Sequence, residues 1–372
     1  MGHFFPGLAL DLDLQVLDIK EFFKAGDLHV TDGLTGDRRR FDQMGTGAQR
    51  AIQMSLIRYL AEARAVAPEK ASRRLLLIDE PELYLHPQGV RRLRQALLSL
   101  SGTGFQVVFS THSPMMLSRD NAADTVIVSK TKEAGTTANK PLRQAVSAAL
   151  NDAESQSRTL FELGNLADVY FSERIVLCEG KTDRRLLPLA YERLFGQPPE
   201  LDQIAFVSLG SCSDIPKALP VLAAMGIKAC AVADLDFCFT VARKGASPLL
   251  PKEGGEMESV KTILKRLEKD KGVALAGNGL PTSKDGQSAA DGWATFAQDN
   301  DGQPIAQAAH DTLKGKAIWI WPMGCIEQVT GETEKGEDAI IEQEQKLREM
   351  SAADIEAGMP AFKACFDWIR SI

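Results

Sequence analysis

The chain has 372 residues, of which 44% are hydrophobic and 25% charged, and its formal net charge is −7. This composition is typical of globular proteins, and the length allows two domains with substantial cores. The negative charge excludes a general basic field for nucleic acid, so any such binding must use local clusters such as Arg38-Arg39-Arg40 and Arg91-Arg92.

The sequence shows neither a targeting signal nor a membrane-spanning pattern. The N-terminus lacks a basic segment followed by a long apolar one, and no apolar run approaches about 18 residues. The six cysteines lack the close pairwise spacing of a zinc-binding motif, and most of them lie in apolar runs. We therefore expect a cytoplasmic protein with reduced core thiols and no membrane contact.

The first part of the chain combines strand patterns with one long helical pattern. Residues 8–16 alternate between apolar and polar side chains, which predicts a half-buried, antiparallel strand, and residues 21–33 predict the next strand or two. Residues 47–65 predict a helix that begins after a glycine-rich turn. Short apolar runs that end in polar residues resemble buried parallel strands with ligand groups at their carboxyl ends, and they cover residues 73–80, 105–112 and 125–130.

A second α/β pattern follows a polar connector at residues 131–165. Apolar runs that predict strands alternate with helical patterns from residue 174 to residue 237, and a last strand is predicted at residues 317–322. Residues 240–315 interrupt this alternation with many Gly, Asp, Ser and Lys residues and one clear helix at 257–270, which indicates an insertion.

Polar residues at the ends of two apolar runs in the first part predict a nucleotide site. Asp79 and Glu80 follow one run, and ATPases use such a pair to hold a magnesium-bound water and to polarise the attacking water. His112 ends the neighbouring run, where it can contact a γ-phosphate. The glycine turn at residues 45–47 opens a helix, and a helix N-terminus favours an anion.

In their order and spacing, these residues resemble the C-terminal half of an ABC-type ATPase head of the RecF and SMC kind. The resemblance places Thr46, Gly47 and Gln49 in the signature motif, Asp79 and Glu80 in the Walker B pair, and His112 at the switch histidine. Thr46 replaces the family's serine, and Ala48 replaces its second glycine.

The sequence contains no P-loop motif G-x-x-x-x-G-K-S/T. In the family the P-loop lies upstream of these motifs, so the resemblance implies that the chain is the C-terminal part of a longer protein or an artificially shortened form of it. We expect the full-length protein to be a homodimer. ATP would bind only with the missing N-terminal half or across subunits.

Five acidic residues follow predicted strands in the second part. Glu179 ends one strand, and Asp183 lies one helical turn further on. Asp234 and Asp236 end another strand, and Glu327 follows the last one. The carboxyl ends of parallel strands meet in one crevice, where unpaired carboxylates would repel one another. Divalent cations would relieve that repulsion, and oxygen ligands favour Mg²⁺ or Mn²⁺.

These residues resemble the Toprim pattern. In that pattern a glutamate ends one strand, and Asp-x-Asp ends another about 55 residues later, here with Gly210-Ser211 between them. Directly after an ATPase half head, residues 168–187 resemble an OLD-family (overcoming lysogenisation defect) nuclease. The resemblance implies an α/β fold in which an incomplete ABC-type ATPase lobe (residues 1–130) precedes a Toprim domain (residues 166–372). The Toprim domain would have a central, mostly parallel sheet flanked by helices and a helical insertion at about 240–315.

The resemblance implies a two-metal endonuclease that cleaves DNA. Two Mg²⁺ or Mn²⁺ ions would be bound by Glu179, Asp183, Asp234, Asp236 and Glu327. A lysine would neutralise transition-state charge; Lys335 is the first choice and Lys316 the second. A topoisomerase-like strand-passing enzyme and a non-catalytic ATPase-head scaffold of a DNA repair or phage-defence complex remain alternatives.

Overall fold

The computed structural model describes residues 8–13, 27–65, 74–102, 105–132, 134–149, 166–245, 248–251, 255–284, 286–331 and 336–372. The chain divides into two compact units, Met1–Ala122 and Ala123–Ile372. The first unit contains strands β1 (Leu8–Asp13), β2 (Asp27–Asp32), β3 (Arg38–Arg40), β4 (Arg74–Ile78) and β5 (Phe105–Phe109). Its helices are α1 (Thr46–Ala65), α2 (Pro87–Ser101) and α3 (Arg119–Ala122).

The described residues of the first unit form two small sheets. Strands β1, β2 and β3 form an antiparallel sheet, as the alternation over residues 8–16 predicts for its first strand. Strands β4 and β5 pair in parallel, which confirms the parallel arrangement predicted for residues 73–80 and 105–112.

The expectation that β4 and β5 resemble buried strands holds for one face of each strand only. Alternate side chains of each strand pack against a cluster supplied mainly by α2, whereas Leu75, Leu77 and Val108 on the opposite face are 59%, 68% and 48% exposed. The apolar runs are continuous, so their sequence carries no alternation from which a one-sided burial could be read.

The second unit begins with a hairpin of β6 (Val128–Thr131) and β7 (Gly135–Ala138), followed by helices α4 (Leu142–Ala149) and α5 (Leu166–Phe171). Strand β6 is antiparallel to β7, and Val126 and Val128 are exposed. The prediction of a buried parallel strand at 125–130 was therefore wrong, because this apolar run pairs only within a local hairpin among the described residues.

The main sheet of the second unit has four parallel strands in the order β11–β10–β8–β9. These strands are β8 (Arg174–Cys178), β9 (Ile204–Ser208), β10 (Lys228–Ala233) and β11 (Ile318–Ile320). The helices along this part of the chain are α6 (Lys181–Phe195), α7 (Ile215–Ala224), α8 (Phe237–Thr240), α9 (Gly255–Lys271), α10 (Ala289–Ala297), α11 (Gly302–Lys314), α12 (Ile326–Thr330), α13 (Glu337–Glu349), α14 (Ala352–Gly358) and α15 (Pro360–Ser371). One face of the sheet forms a core with α6 and α15, in which Trp321, Tyr191 and Phe366 are fully buried.

The insertion between β10 and β11 is helical, as predicted, but it contains more than the one helix that the sequence indicated. Helix α10 begins at a capping box, in which Ser288 Oγ accepts a hydrogen bond from Asp291 N at 3.2 Å. Trp293 on this helix stacks on Phe239 at a ring-centroid distance of 4.8 Å. No helix in the described part of the chain is long and apolar enough to cross a bilayer.

Candidate active site

The five predicted acidic residues lie at one edge of the parallel sheet. In the registers of the sheet, Cys178 at the end of β8 pairs with Val232 of β10, and Ala233 of β10 pairs with Ile320 of β11. The carboxyl ends of these three strands are therefore adjacent, and the acidic residues follow them. Glu179 and Asp183 follow β8, Asp234 and Asp236 follow β10, and Glu327 lies in the first turn of α12 beyond β11.

A backbone hydrogen bond joins the Asp-x-Asp turn to the loop that precedes Glu327. Leu235 N donates to Gly324 O at 2.7 Å. Gly324 has φ = +133°, and a Cβ there would lie 3.3 Å from the Cα of Ala294 on the insertion helix α10. The loop therefore needs glycine for both its backbone conformation and its close approach to α10.

The carboxylates of this cluster interact strongly with one another. The pKa of Asp183, which is 5% exposed, is raised from 3.8 to about 7, first by burial and then by the charges of Glu179 and Glu327. Burial raises the pKa of Asp234 well above its ordinary value, and all four of the other acidic side chains raise it further. The structure thus brings together the five residues that the sequence singled out, and their negative charges oppose one another.

One carboxylate oxygen of Asp183 accepts a hydrogen bond, and the other oxygen has no hydrogen-bond partner. Its Oδ2 accepts a hydrogen bond from Gly180 N at 3.3 Å, which caps the start of α6. Its Oδ1 is buried and has no hydrogen-bond partner. An unpaired buried carboxylate oxygen is costly, so it indicates a missing positive partner.

The donor set of this edge suits a hard divalent cation, because it consists of carboxylate oxygens. Within the described residues, no group of three or more His, Cys, Asp or Glu side chains is arranged so that it could hold a metal ion. The fit to a cation therefore rests on the unpaired oxygen of Asp183 and on the mutual repulsion of the carboxylates.

The structure describes the position of only one of the two candidate lysines. Lys335 lies outside the described residues, so its role remains a prediction. Lys316 precedes β11 and therefore lies at the amino edge of the sheet, opposite the acidic residues. Its Nζ donates to the carbonyl oxygen of Leu249 at 2.6 Å. This position gives no support to Lys316 as the charge-neutralising residue.

Two thiols also line the acidic edge, which the sequence analysis missed. Burial raises the pKa of the Cys212 thiol and the nearby Glu179 carboxylate raises it further; burial, then Asp234 and Glu327, raise the pKa of the Cys325 thiol in the same way. All six cysteines are free, and five of them are buried as expected, whereas Cys212 is partly exposed. The available signal was the position of Cys212 directly after Gly210-Ser211, between Glu179 and the Asp-x-Asp turn.

In the first unit, the predicted Walker B and switch residues lie together at the carboxyl ends of β4 and β5. His112 Nε2 lies 3.3 Å from Glu80 Oε1. Ser110 Oγ donates to Asp79, and Glu80 N donates to Ser110 Oγ at 3.0 Å. Glu80 has φ = +41°, an unfavourable conformation for a non-glycine residue that is typical of functional loops.

Arg50 and Glu82 support this arrangement, and the sequence analysis did not identify either residue. The Arg50 guanidinium donates to the carbonyl oxygens of Asp79 and Glu80 at 2.9 and 3.3 Å. Glu82 is buried, and its carboxylate accepts from His112 N at 3.1 Å. A run of Asp-Glu-Pro-Glu after an apolar strand is the signal that would have drawn attention to Glu82.

The signature-like residues lie at the N-terminus of α1. Thr46 begins the helix, and a Cβ at Gly47 would lie 2.4 Å from the carbonyl oxygen of Tyr84, so glycine is required for this close approach. The Gln49 side chain donates to the carbonyl oxygens of Met44 and Asp42 at 2.8 and 3.2 Å. Gln49 thus closes the turn before its own helix.

These two sites define a chain that combines an ATPase domain with a TOPRIM domain. Residues 13–117 match the family described as AAA ATPase domain, and residues 170–236 match the family described as Overcoming lysogenization defect protein-like, TOPRIM domain. The resemblance inferred from the sequence is therefore confirmed at the level of both domains.

Two curated relatives are similar to this chain over part of their length. The chain is 32% identical to the Old nuclease of Escherichia phage P2 over 347 residues, which cover 89% of this chain and 56% of the relative. It is 30% identical to the OLD nuclease of Thermus scotoductus over 214 residues, which cover 52% of this chain and 36% of the relative. The chain thus spans about half of the first relative and about a third of the second.

A solved structure of the C-terminal region of the Xanthomonas campestris OLD protein is also similar. The match covers 55% of this chain and 95% of the other, with 12% identity and a TM-score of 0.26.

Proposed function

We propose that this chain is the DNA-cleaving part of a metal-dependent endonuclease, with the five acidic residues at the carboxyl edge of the second-unit sheet as its active site. The observation that carries the proposal is the gathering of carboxylates at three adjacent strand ends, where burial and then their mutual repulsion raise the pKa values of Asp183 and Asp234. Similarity to proteins named Old nuclease and OLD nuclease supports the same activity.

The five carboxylates would hold two divalent cations, Mg²⁺ or Mn²⁺. When bound, two such ions supply an activated water and stabilise the leaving oxygen of a phosphodiester. Glu179 and Asp183 are fixed by the β8–α6 junction, and Asp183 has an unpaired oxygen to offer. Asp234 and Asp236 are presented by a turn that is tied through Gly324 to the loop before Glu327. The protein thus holds its acidic ligands in place from three sides.

Lys335 would neutralise negative charge on the scissile phosphate. The described residues that support this choice are Arg185, Glu337 and Glu344. Arg185 on α6 donates two hydrogen bonds to Glu344 at 2.7 and 2.8 Å and forms an ion pair with Glu337. Glu337 is therefore anchored beside the helix that carries Asp183, and it follows Lys335 by two residues in the sequence.

The first unit would couple this cleavage site to ATP. Asp79, Glu80 and His112 supply Walker B and switch groups, but the printed sequence has no P-loop to hold the β- and γ-phosphates. ATP binding would therefore need a P-loop from outside this sequence, and we propose that the longer protein forms a homodimer on DNA. The chain alone would bind DNA without hydrolysing ATP.

Neither alternative function is favoured by a specific observation. A strand-passing enzyme needs a tyrosine that can attack DNA. Tyr170 and Tyr191 are the tyrosines of the second unit, and both are buried at 8% and 0% exposure. A pure scaffold would gain nothing from five carboxylates that repel one another.

The proposal is tested with purified chain, supercoiled plasmid, and Mg²⁺ or Mn²⁺, with EDTA in a parallel reaction. We expect conversion to nicked or linear DNA with metal, none with EDTA, and none for Asp234→Ala. Asp214→Ala is the matched control, because Asp214 lies after the neighbouring strand β9 and forms an ion pair with Lys217. Cleavage in EDTA, or by Asp234→Ala, would contradict the proposal.

A further inference from the structure

The buried face of helix α13 contains one polar residue. The buried residues of this helix are Ala339, Gln343 and Leu347, which recur every four positions and therefore lie on one side of it. Gln343 is 3% exposed, although an apolar residue at the same position would leave no polar group to satisfy. A buried amide costs free energy unless it is hydrogen-bonded, so the contacts of Gln343 indicate why this position carries glutamine.

The partner of Gln343 is Thr330, the last residue of α12. Gln343 Oε1 accepts a hydrogen bond from Thr330 Oγ1 at 3.2 Å, and Thr330 is itself 3% exposed. The same hydroxyl donates to the carbonyl oxygen of Glu327 at 3.0 Å, so its proton is shared between two acceptors. Three residues further along α13, Lys346 Nζ donates to the carbonyl oxygen of Thr330 at 3.2 Å. Two side chains of α13 thus bind the end of the helix that presents Glu327.

Helix α13 is also joined to the helix that presents Asp183. Arg185 on α6 donates to both carboxylate oxygens of Glu344 at 2.7 and 2.8 Å, and Glu344 directly follows Gln343 in the sequence. A bidentate pair of arginine and carboxylate fixes the orientation of its partners as well as their distance. Helix α13 therefore connects α12 with α6, the two helices that carry Glu327 and Asp183.

Glu327 and Asp183 need such a connection because their negative charges repel each other. Helix α12 has only five residues, and a helix of that length has little stability of its own. Its position must therefore come from tertiary contacts. Apolar packing of Ile326 and Val329 holds α12 to the core but is non-directional, whereas its hydrogen bonds to α13 are directional.

We propose that Gln343 is a positioning residue, which acts through Thr330 to hold Glu327 beside Asp183 for divalent-cation binding. The inference rests on the proposed function, because it concerns the same acidic edge. Gln343 is uncharged and buried, so its effect would be on the geometry of Glu327 and not on the charge of the site. Groups that orient metal ligands typically contribute about 10- to 100-fold to metal affinity, which sets the size of the expected effect.

The test is Gln343→Leu, which keeps the approximate volume of the side chain and removes the acceptor oxygen. The affinity of the metal-free chain for Mn²⁺, measured by electron paramagnetic resonance, should fall roughly tenfold. Plasmid cleavage should recover at high Mn²⁺ concentration, because ion binding is impaired and the reaction itself is not. Thr330→Val removes the hydroxyl with little change in shape. It should weaken Mn²⁺ binding by a similar factor, and it provides the same test if Gln343→Leu does not fold.

Two comparisons separate positioning from a general loss of stability. In a Glu327→Gln background, Gln343→Leu should weaken Mn²⁺ binding no further, because residues that act through one another have non-additive effects. Gln197→Leu is the matched control. It removes a hydrogen bond to Asp202, which precedes β9 at the amino edge of the sheet, and it should leave the Mn²⁺ affinity unchanged. An equal loss of affinity in the Glu327→Gln background, or one that Gln197→Leu also causes, would overturn the proposal.

The behaviour of the wild type distinguishes this inference from the proposed function. If wild type binds Mn²⁺, Asp234→Ala does not, and Gln343→Leu binds as tightly as wild type, the acidic edge stands and the role of Gln343 is refuted. A wild-type chain that binds no Mn²⁺ would refute the proposed function, and the inference with it.

Discussion

Replacing Asp183 with asparagine should stabilise the chain in metal-free buffer at pH 8. The pKa of Asp183 is raised from 3.8 to about 7, and each pKa unit corresponds to about 1.4 kcal/mol. The ionised carboxylate of Asp183 therefore lowers the free energy of unfolding by at most about 4 kcal/mol. Because neighbouring acidic residues share the proton, we expect a gain of about 1–3 kcal/mol, or roughly 2–4 °C in Tm for each kcal/mol in a unit of this size.

The stability difference between Asp183→Asn and wild type should depend on pH. A carboxyl whose pKa is raised by folding stabilises the fold while it is protonated, and this stability is lost as the pH rises through about 7. The advantage of Asp183→Asn over wild type should therefore shrink from pH 8 to pH 6. Asp214→Asn is the control and should show no gain, since Asp214 is already paired with Lys217.

The assay is thermal unfolding followed by circular dichroism, with EDTA and then with Mn²⁺. Mn²⁺ should raise the Tm of wild type and have little effect on Asp183→Asn, because the ion binds the folded wild type preferentially. If Asp183→Asn destabilised the chain equally at pH 6 and pH 8 in EDTA, charge repulsion at the sheet edge would be refuted.

Three further predictions concern the lysines, the ATPase unit and the active-site loop. Lys335→Ala should slow plasmid cleavage roughly a hundredfold without changing Mn²⁺ binding, whereas Lys316→Ala should cleave at the wild-type rate. The reverse result in a cleavage time course would rule out Lys335 as the charge-neutralising residue. The chain alone should release no phosphate from ATP, and turnover that Glu80→Gln abolishes would reveal a complete site. Gly324→Ala should destabilise the fold by about 1–3 kcal/mol because of its positive φ, while Gly315→Ala, at φ = −66°, should be tolerated; equal denaturation midpoints would contradict this account of the loop.

The parallel sheets and the convergence of the acidic residues were predictable because both follow from apolar runs that end in polar residues. Continuous apolar runs that end in acidic residues identify strands and their carboxyl ends, and the sheet topology then brings Glu179 and Asp234 together. The hairpin at β6–β7 was not predictable from its run, because "TVIVSK" does not encode whether its partner is local or distant.

The supporting residues were harder to predict because they act through backbone geometry. Arg50 donates to carbonyl oxygens of residues 79 and 80, and such contacts leave no motif in a single sequence. The same is true of Cys212, whose thiol lies near Glu179 only because β9 is paired with β8. Site residues that follow strands can be predicted from the sequence, whereas contacts between side chains on different loops can be identified only from the three-dimensional structure.

The most direct test of the central claim is the number of Mn²⁺ ions bound by the metal-free chain, measured by titration with electron paramagnetic resonance detection of free Mn²⁺. We predict two ions for each wild-type chain and at most one weakly bound ion for Asp234→Ala. Two ions that remain equally well bound in Asp234→Ala, or no bound ion in wild type, would contradict the assignment of the acidic edge as a two-metal site.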